Sequence, residues 1–225
     1  VCGCYSQTHP DDMDKLEVDL VAGTGDRTGF VDLLEQTWQK HQSITVLDDP
    51  FQRRTFENLP AGGLEGRTRA MLKIEDGCVN FCSYCIVPYV RGRERSRRPE
   101  IILDEIRGLV AEGYKDITLL GQNVNSYGKD LDEPMDFADL LRAASEIPGD
   151  FLLRFMTSHP KDASQKLFDT MASSPKIAPC FHLPFQAGSD RILKAMNRVY
   201  DRAGYLDKVR RLRQAIPDVV ITSDV

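Results

Sequence analysis

The sequence predicts an α/β fold: a partial (βα) barrel with parallel strands, preceded by the C-terminal part of a small α/β domain. Two patterns carry this. From residue 70 onwards short apolar runs alternate with stretches in which apolar residues recur every three or four positions, as strands and helices do. The segments between successive strands are also long enough to hold a helix, which gives right-handed βαβ crossovers and a parallel sheet.

Residues 1–40 supply the tail of the first domain. Val1-Cys2-Gly3-Cys4 reads as a strand end entering a turn, followed by a polar helix over 11–16 and a strand over 18–22. The turn Gly23-Thr24-Gly25 then leads to a helix over 32–38. Residues 41–66 lack sustained periodicity and are broken by Pro50, Pro60 and Gly62-Gly63, so they read as a linker. The core domain is expected over 67–225. Its strands fall at 70–74, 116–120, 151–156, 181–185 and 219–222, and its helices at 101–112, 137–147, 165–172, 191–196 and 205–216. Ile102, Ile106, Leu109 and Val110 make one helical face, and Leu140, Leu141, Ala144 and Ile147 another. Asp136 is placed to cap its helix, and Gly113 stands where a helix ends in a left-handed residue. Five strands do not close an eight-stranded barrel, and neither an initiator Met nor a secretion signal opens the chain. The expectation is a fragment, truncated within its core domain.

Composition narrows the function. Hydrophobic residues make up 41% and charged residues 28%, which argues against a disordered chain, and no apolar run approaches the ~18 residues of a membrane span. The net charge is -5, yet residues 91–98 hold five Arg against one Glu. A basic patch therefore stands on an acidic chain, as nucleic-acid binding would require. The six cysteines are clustered rather than spread, which points to metal binding rather than disulfides.

Cys78, Cys82 and Cys85 have the spacing C-x3-C-x2-C, directly after the first core strand. Three thiolates on one loop can hold three irons of a [4Fe-4S] cluster, and with no fourth Cys nearby one iron stays open to a ligand. That loop lies at a strand's C-terminal end, where α/β enzymes assemble their sites. A structural zinc site completed by a distant His such as His182, or three buried thiols, is the bland alternative.

Gly77 to Cys85, continued by Ile86-Val87-Pro88-Tyr89-Val90-Arg91-Gly92, resembles the radical S-adenosylmethionine methylthiotransferases that modify tRNA. So do Gly3-Cys4-Tyr5, Leu120-Gly121-Gln122-Asn123-Val124-Asn125-Ser126-Tyr127, Thr157-Ser158-His159-Pro160, and the segment 182–190 from His182-Leu183-Pro184 to Gly188-Ser189-Asp190. The resemblance runs through essentially the whole chain. It implies that the cluster on Cys78, Cys82 and Cys85 binds and reduces S-adenosylmethionine. The 5′-deoxyadenosyl radical so formed would take hydrogen from carbon 2 of a modified adenine beside the anticodon. It also implies a second [4Fe-4S] cluster in the full-length protein, of which Cys4 is one ligand, and an unspecified electron donor. The setting is cytoplasmic.

On that resemblance Tyr84, Gln122, Asn123, Ser158, Gln186 and Ser189 are the candidate contacts to S-adenosylmethionine, though Ser189 would cap a helix in any protein. His159 before Pro160 is read as a turn residue, Cys2 as a bystander and Cys180 as a buried small residue. Arg91, Arg93 and Arg97 are the candidates to meet the phosphates of the tRNA anticodon stem-loop, because guanidinium forks suit phosphate. Residues 122–127 and 154–162 resemble the branch acting on N6-isopentenyladenosine, whereas Tyr5, 23–27 and 65–77 look more like the branch acting on N6-threonylcarbamoyladenosine. The former is favoured. The rivals are a relative that modifies a ribosomal protein and a non-catalytic iron-sulfur or zinc module that binds RNA.

Overall fold

The computed structural model describes residues 1–25, 27–61 and 68–225. Parts of segments 23–27 and 65–77, the pair Gly62-Gly63 and the boundary at 66/67 lie outside the described residues. The first unit comprises helices α1 (Cys4–Thr8) and α2 (Pro10–Met13), strand β1 (Leu20–Ala22), helix α3 (Phe30–Lys40) and strand β2 (Ile44–Val46). β1 and β2 pair in parallel, Leu20 opposite Ile44, and Cys2 bridges to Ala22. The linker expected over 41–66 therefore begins with a strand of the first unit. Ile44-Thr45-Val46 is β-branched throughout, but three residues are too few to display an alternation. The helix expected over 11–16 is instead α2 followed by a 3-10 turn at Asp14–Leu16.

The core sheet is formed by β3 (Arg69–Lys73), β6 (Asp116–Leu120) and β7 (Leu152–Phe155), with β6 in the middle and both pairings parallel. Two short antiparallel strands, β4 (Glu75–Asp76) and β5 (Arg95–Ser96), follow β3 and clasp the base of the cysteine loop. Between them lies α4 (Val87–Arg91). The wall continues through a bridge from Leu153 to Ile177 into β8 (Cys180–His182), which pairs in parallel with β9 (Val220–Thr222). Its strands thus line up in chain order, as successive right-handed βαβ units require.

Four further helices cover the wall or cross its end: α5 (Pro99–Ala111), α6 (Phe137–Ser145), α7 (Gln165–Ser173) and α9 (Arg202–Ala215), with the short α8 (Asp190–Ala195) before the last. Pro99 opens α5, and Gly113 at φ 94° stops the chain behind it. Asp136 and Asp139 form a reciprocal capping box on α6, which buries Phe137, Leu140, Leu141 and Ala144 on one face. Phe155 of β7 meets Phe137 edge-on at 5.1 Å and Phe181 of β8 at 5.2 Å, and Phe168 of α7 reaches Phe181. This apolar floor holds the strand ends in place and leaves their C-terminal loops to face one another.

Candidate functional site

β3 delivers the chain through β4 to Gly77, whose φ of 89° only glycine adopts without strain. A Cβ there would lie 2.0 Å from the Arg93 carbonyl oxygen. The close approach lets the Cys78 amide donate to the Gly92 carbonyl at 3.1 Å, while Gly77 donates its own amide to Gln122 Oε1 at 2.7 Å. The loop that follows brings Cys78, Cys82 and Cys85 to the lining of one cavity of about 240 Å³. Gln122, Thr157, Ser158, His159, His182, Pro184 and Gln186 close it from the ends of β6, β7 and β8.

Three lining residues, Phe81, Thr157 and Gln186, have left-handed backbones, with φ of 46°, 67° and 62°. A β-branched Thr in that region is a clear outlier, and such strain gathers where a scaffold holds side chains for function. Ser158 Oγ and Asn80 Oδ1 are buried here without a hydrogen-bond partner among the described residues. Burial pushes the Cys78 thiol up to about 12, and the carboxylates of Glu94 and Glu75 add to the effect. His159 is buried and neutral, pushed down to about 3 by burial and by the Arg198 charge. Its Nδ1 accepts the Lys161 amide, so the proton sits on Nε2.

Of the six residues expected to contact the cofactor, Tyr84, Gln122, Ser158 and Gln186 line this cavity. Asn123 and Ser189 do not. Asn123 is buried behind the strand end and donates to Asp162 at 2.7 Å; Ser189 is exposed at the start of α8. His182 lines the cavity but engages Thr222 and Asp224. Among the described residues no three His, Cys, Asp or Glu side chains converge as closely as the ligands of one metal ion. Cys4 opens α1, which packs against α4, the helix just after the trio; Cys2 is exposed and Cys180 half-buried.

The arginine run is mostly turned inward, which corrects the expectation that Arg91 and Arg97 are free for RNA. Arg97 is 4% exposed, pairs with Glu105 at 2.5 Å and bonds Asn58. Arg91, with Lys73, Arg95 and Arg27, surrounds the buried Asp76 carboxylate. A charge run reveals its sign but not the acids that fold back onto it. Only Arg93 of the three stays exposed, and it has no side-chain ion pair among the described residues.

The sequence reading missed two groups. Glu75 is fully buried, its carboxyl pushed well above the usual carboxylate range by burial and then by Glu94, and its Oε1 has no hydrogen-bond partner among the described residues. Arg198 reaches the cavity from beyond α8, and its Nη1 stands 3.4 Å from Cys82 Sγ. Only its place after a helix on the far side of the sheet could have flagged it.

Residues 72–225 match the model of the radical SAM superfamily. The chain belongs to the radical SAM superfamily. The superfamily's chemistry uses a [4Fe-4S] cluster and S-adenosylmethionine. Two solved radical enzymes share the fold: OxsB, cobalamin-dependent, superposes at a TM-score of 0.68 over 98% of this chain and 35% of its own, at 12% identity. TsrM from Kitasatospora setae, a radical S-adenosylmethionine methyltransferase, superposes at 0.55 over 69% of this chain and 30% of its own, at 17% identity. Much nearer in sequence are proteins named tRNA-2-methylthio-N(6)-dimethylallyladenosine synthase. That of Desulfitobacterium hafniense is 48% identical over the whole of this chain and 51% of its own length. Those of Desulforamulus reducens and Alkaliphilus oremlandii are 46% and 47% identical, again over the whole chain. The chain spans about half the length of these relatives. No helix among the described residues is long and apolar enough to cross a membrane.

Proposed function

We propose that this chain is the catalytic centre of a tRNA methylthiotransferase acting at carbon 2 of N6-isopentenyladenosine next to the anticodon. In this reading Cys78, Cys82 and Cys85 hold a [4Fe-4S] cluster that binds S-adenosylmethionine through its open iron. The observation that carries it is the single cavity onto which all three thiols of one loop face together with polar strand-end side chains, in a chain 46–48% identical to the named relatives. The donor set fits: three soft thiolates, no fourth Cys among the lining residues, and buried polar atoms left without protein partners among the described residues.

When bound, the cluster and S-adenosylmethionine supply a carbon radical able to take hydrogen from an unactivated ring position. The chain's own residues do the rest. Tyr84 and Gln186, which line the cavity, would orient the cofactor, and the unpartnered Ser158 Oγ would be a hydrogen-bonding group for it. Gln122 fixes Gly77 and so the pitch of the cysteine loop. The apolar walls of Pro88 and Pro184 help keep water from the radical. Cys4 would be one ligand of a second cluster, Arg93 would meet RNA phosphate, and a cytoplasmic electron donor would supply the reducing electron. Mass spectrometry of bulk tRNA from cells with and without the full-length protein tests the reading. We expect the 2-methylthio group to vanish from the isopentenylated adenosine when the protein is removed. An isopentenylated adenosine that keeps its 2-methylthio group, with loss of the group from threonylcarbamoyladenosine or from a ribosomal protein instead, would overturn it.

A further inference from the structure

The five residues after α8, Met196-Asn197-Arg198-Val199-Tyr200, close over the cysteine loop. Ser83 donates its amide to the Met196 carbonyl at 3.1 Å, and Asn197 Nδ2 donates to the carbonyls of Phe81 at 2.9 Å and Asn80 at 3.3 Å. Asn197 itself is left-handed, φ 56°, which turns the chain sharply enough for the next residue to point inward. That residue is Arg198, 9% exposed. Its guanidinium makes four hydrogen bonds: Nη1 to Cys82 Sγ and Tyr84 OH, both at 3.4 Å, Nη2 to the Pro184 carbonyl at 3.1 Å, and Nε to Tyr200 OH at 2.9 Å. No carboxylate among the described residues forms an ion pair with it. An arginine buried without a counter-anion is costly unless something negative arrives at its open face, and the atom it touches there is a thiol.

We infer that Arg198 is a positioning residue that supplies the compensating positive charge for the cluster and sets its reduction potential through Cys82. This rests on the reading that Cys78, Cys82 and Cys85 hold a [4Fe-4S] cluster. Three thiolates put net negative charge into a site largely shielded from water, where a fixed cation at hydrogen-bond distance acts with little screening. Reduction adds one electron from an external reductant to the cluster core, taking it from 2+ to 1+ with no bond made or broken. The added negative charge is favoured by the guanidinium, and hydrogen bonds to cluster sulfurs and local charge are among the levers that tune such potentials. The same side chain ties the loop to the carbonyl at the end of β8, so the charge and the cavity wall move as one.

The test is a dithionite titration of the anaerobically reconstituted protein followed by electron paramagnetic resonance, in wild type, Arg198→Gln, Arg198→Lys and Asn197→Gly. Arg198→Gln should make one-electron reduction at least tenfold less favourable, a fall of about 59 mV in midpoint potential. Arg198→Lys keeps the charge and should stay within a third of that fall. Asn197→Gly removes the side-chain bonds to the loop yet keeps a backbone free to hold φ above zero, and should leave the potential where it is. If Arg198→Gln takes up no iron, the Lys variant decides: a potential lowered by 59 mV or more in Arg198→Lys overturns the inference. So does an iron-loaded Arg198→Gln with an unchanged potential, or an Asn197→Gly shift as large as that of Arg198→Gln. Wild-type protein that takes up no four-iron cluster overturns the cluster reading itself, and this inference with it.

Discussion

His159 offers a prediction that depends on its surroundings in the fold and is read without any cofactor. The ring is 5% exposed, packs edge-on to Tyr200 at 5.7 Å, and accepts the Lys161 amide on Nδ1. Burial, assisted by the Arg198 charge, pushes it down to about 3, whereas in the unfolded chain it titrates near the ordinary ~6.5. Between those values the unfolded state binds one more proton than the folded state, so stability is full above ~6.5 and falls as the pH drops below it. Each pH unit there costs at most ~1.4 kcal/mol, and between pH 7 and pH 5 the loss is about 2 kcal/mol. For a chain of this size that is roughly 4 to 8 °C in Tm. Thermal melts of apo wild type and His159→Gln at pH 7, 6 and 5 isolate the effect, because carboxylates titrate mainly below this window and other histidines are common to both proteins. The variant should lose several degrees less than wild type over the same interval. Parallel curves would refute the reasoning, for they would mean that the ring takes its proton inside the fold.

Three further outcomes follow from the geometry. Asp76→Asn keeps the shape but strands Lys73, Arg91, Arg95 and Arg27 around a neutral amide. Breaking a buried pair costs ~3–5 kcal/mol; two of the four cations are about a quarter exposed and can turn to water, so we expect ~2–3 kcal/mol, roughly 4 to 12 °C in Tm by calorimetry. A shift under ~1 °C would mean the cluster of charges is already solvated. Gly77→Ala places a methyl 2.0 Å from the Arg93 carbonyl at a positive φ, so the loop should fail to take up iron even where circular dichroism reports a folded chain; normal iron content would show that the clasp yields. Arg93→Ala in the full-length protein should flatten the slope of log tRNA affinity against log salt by ~0.7 to 0.9, with an unchanged slope assigning Arg93 to solvent.

The elements that the sequence makes legible are those whose signal is local. Asp136 caps its helix and Gly113 ends its helix in the left-handed region, both as expected, because both outcomes are decided within one turn. The cysteine loop is legible for the same reason, since its three thiols share eight residues of chain. What was illegible is set by contacts distant in sequence. Whether Arg97 faces RNA depends on Glu105 and Asn58, and whether Asn123 faces the cavity depends on Asp162. Arg198 lies 116 positions from Cys82, and no periodicity or spacing links the two. Ile44–Val46 joins β1 only because the chain returns across α3.

The central claim is that one loop of three cysteines at the strand ends holds the redox centre. Iron and sulfide analysis of the anaerobically reconstituted chain, wild type beside Cys82→Ala and Cys180→Ala, tests it most directly. We expect about four irons in wild type and in Cys180→Ala, and loss of that content in Cys82→Ala. One equivalent of zinc without iron, or four irons retained in Cys82→Ala, would contradict it.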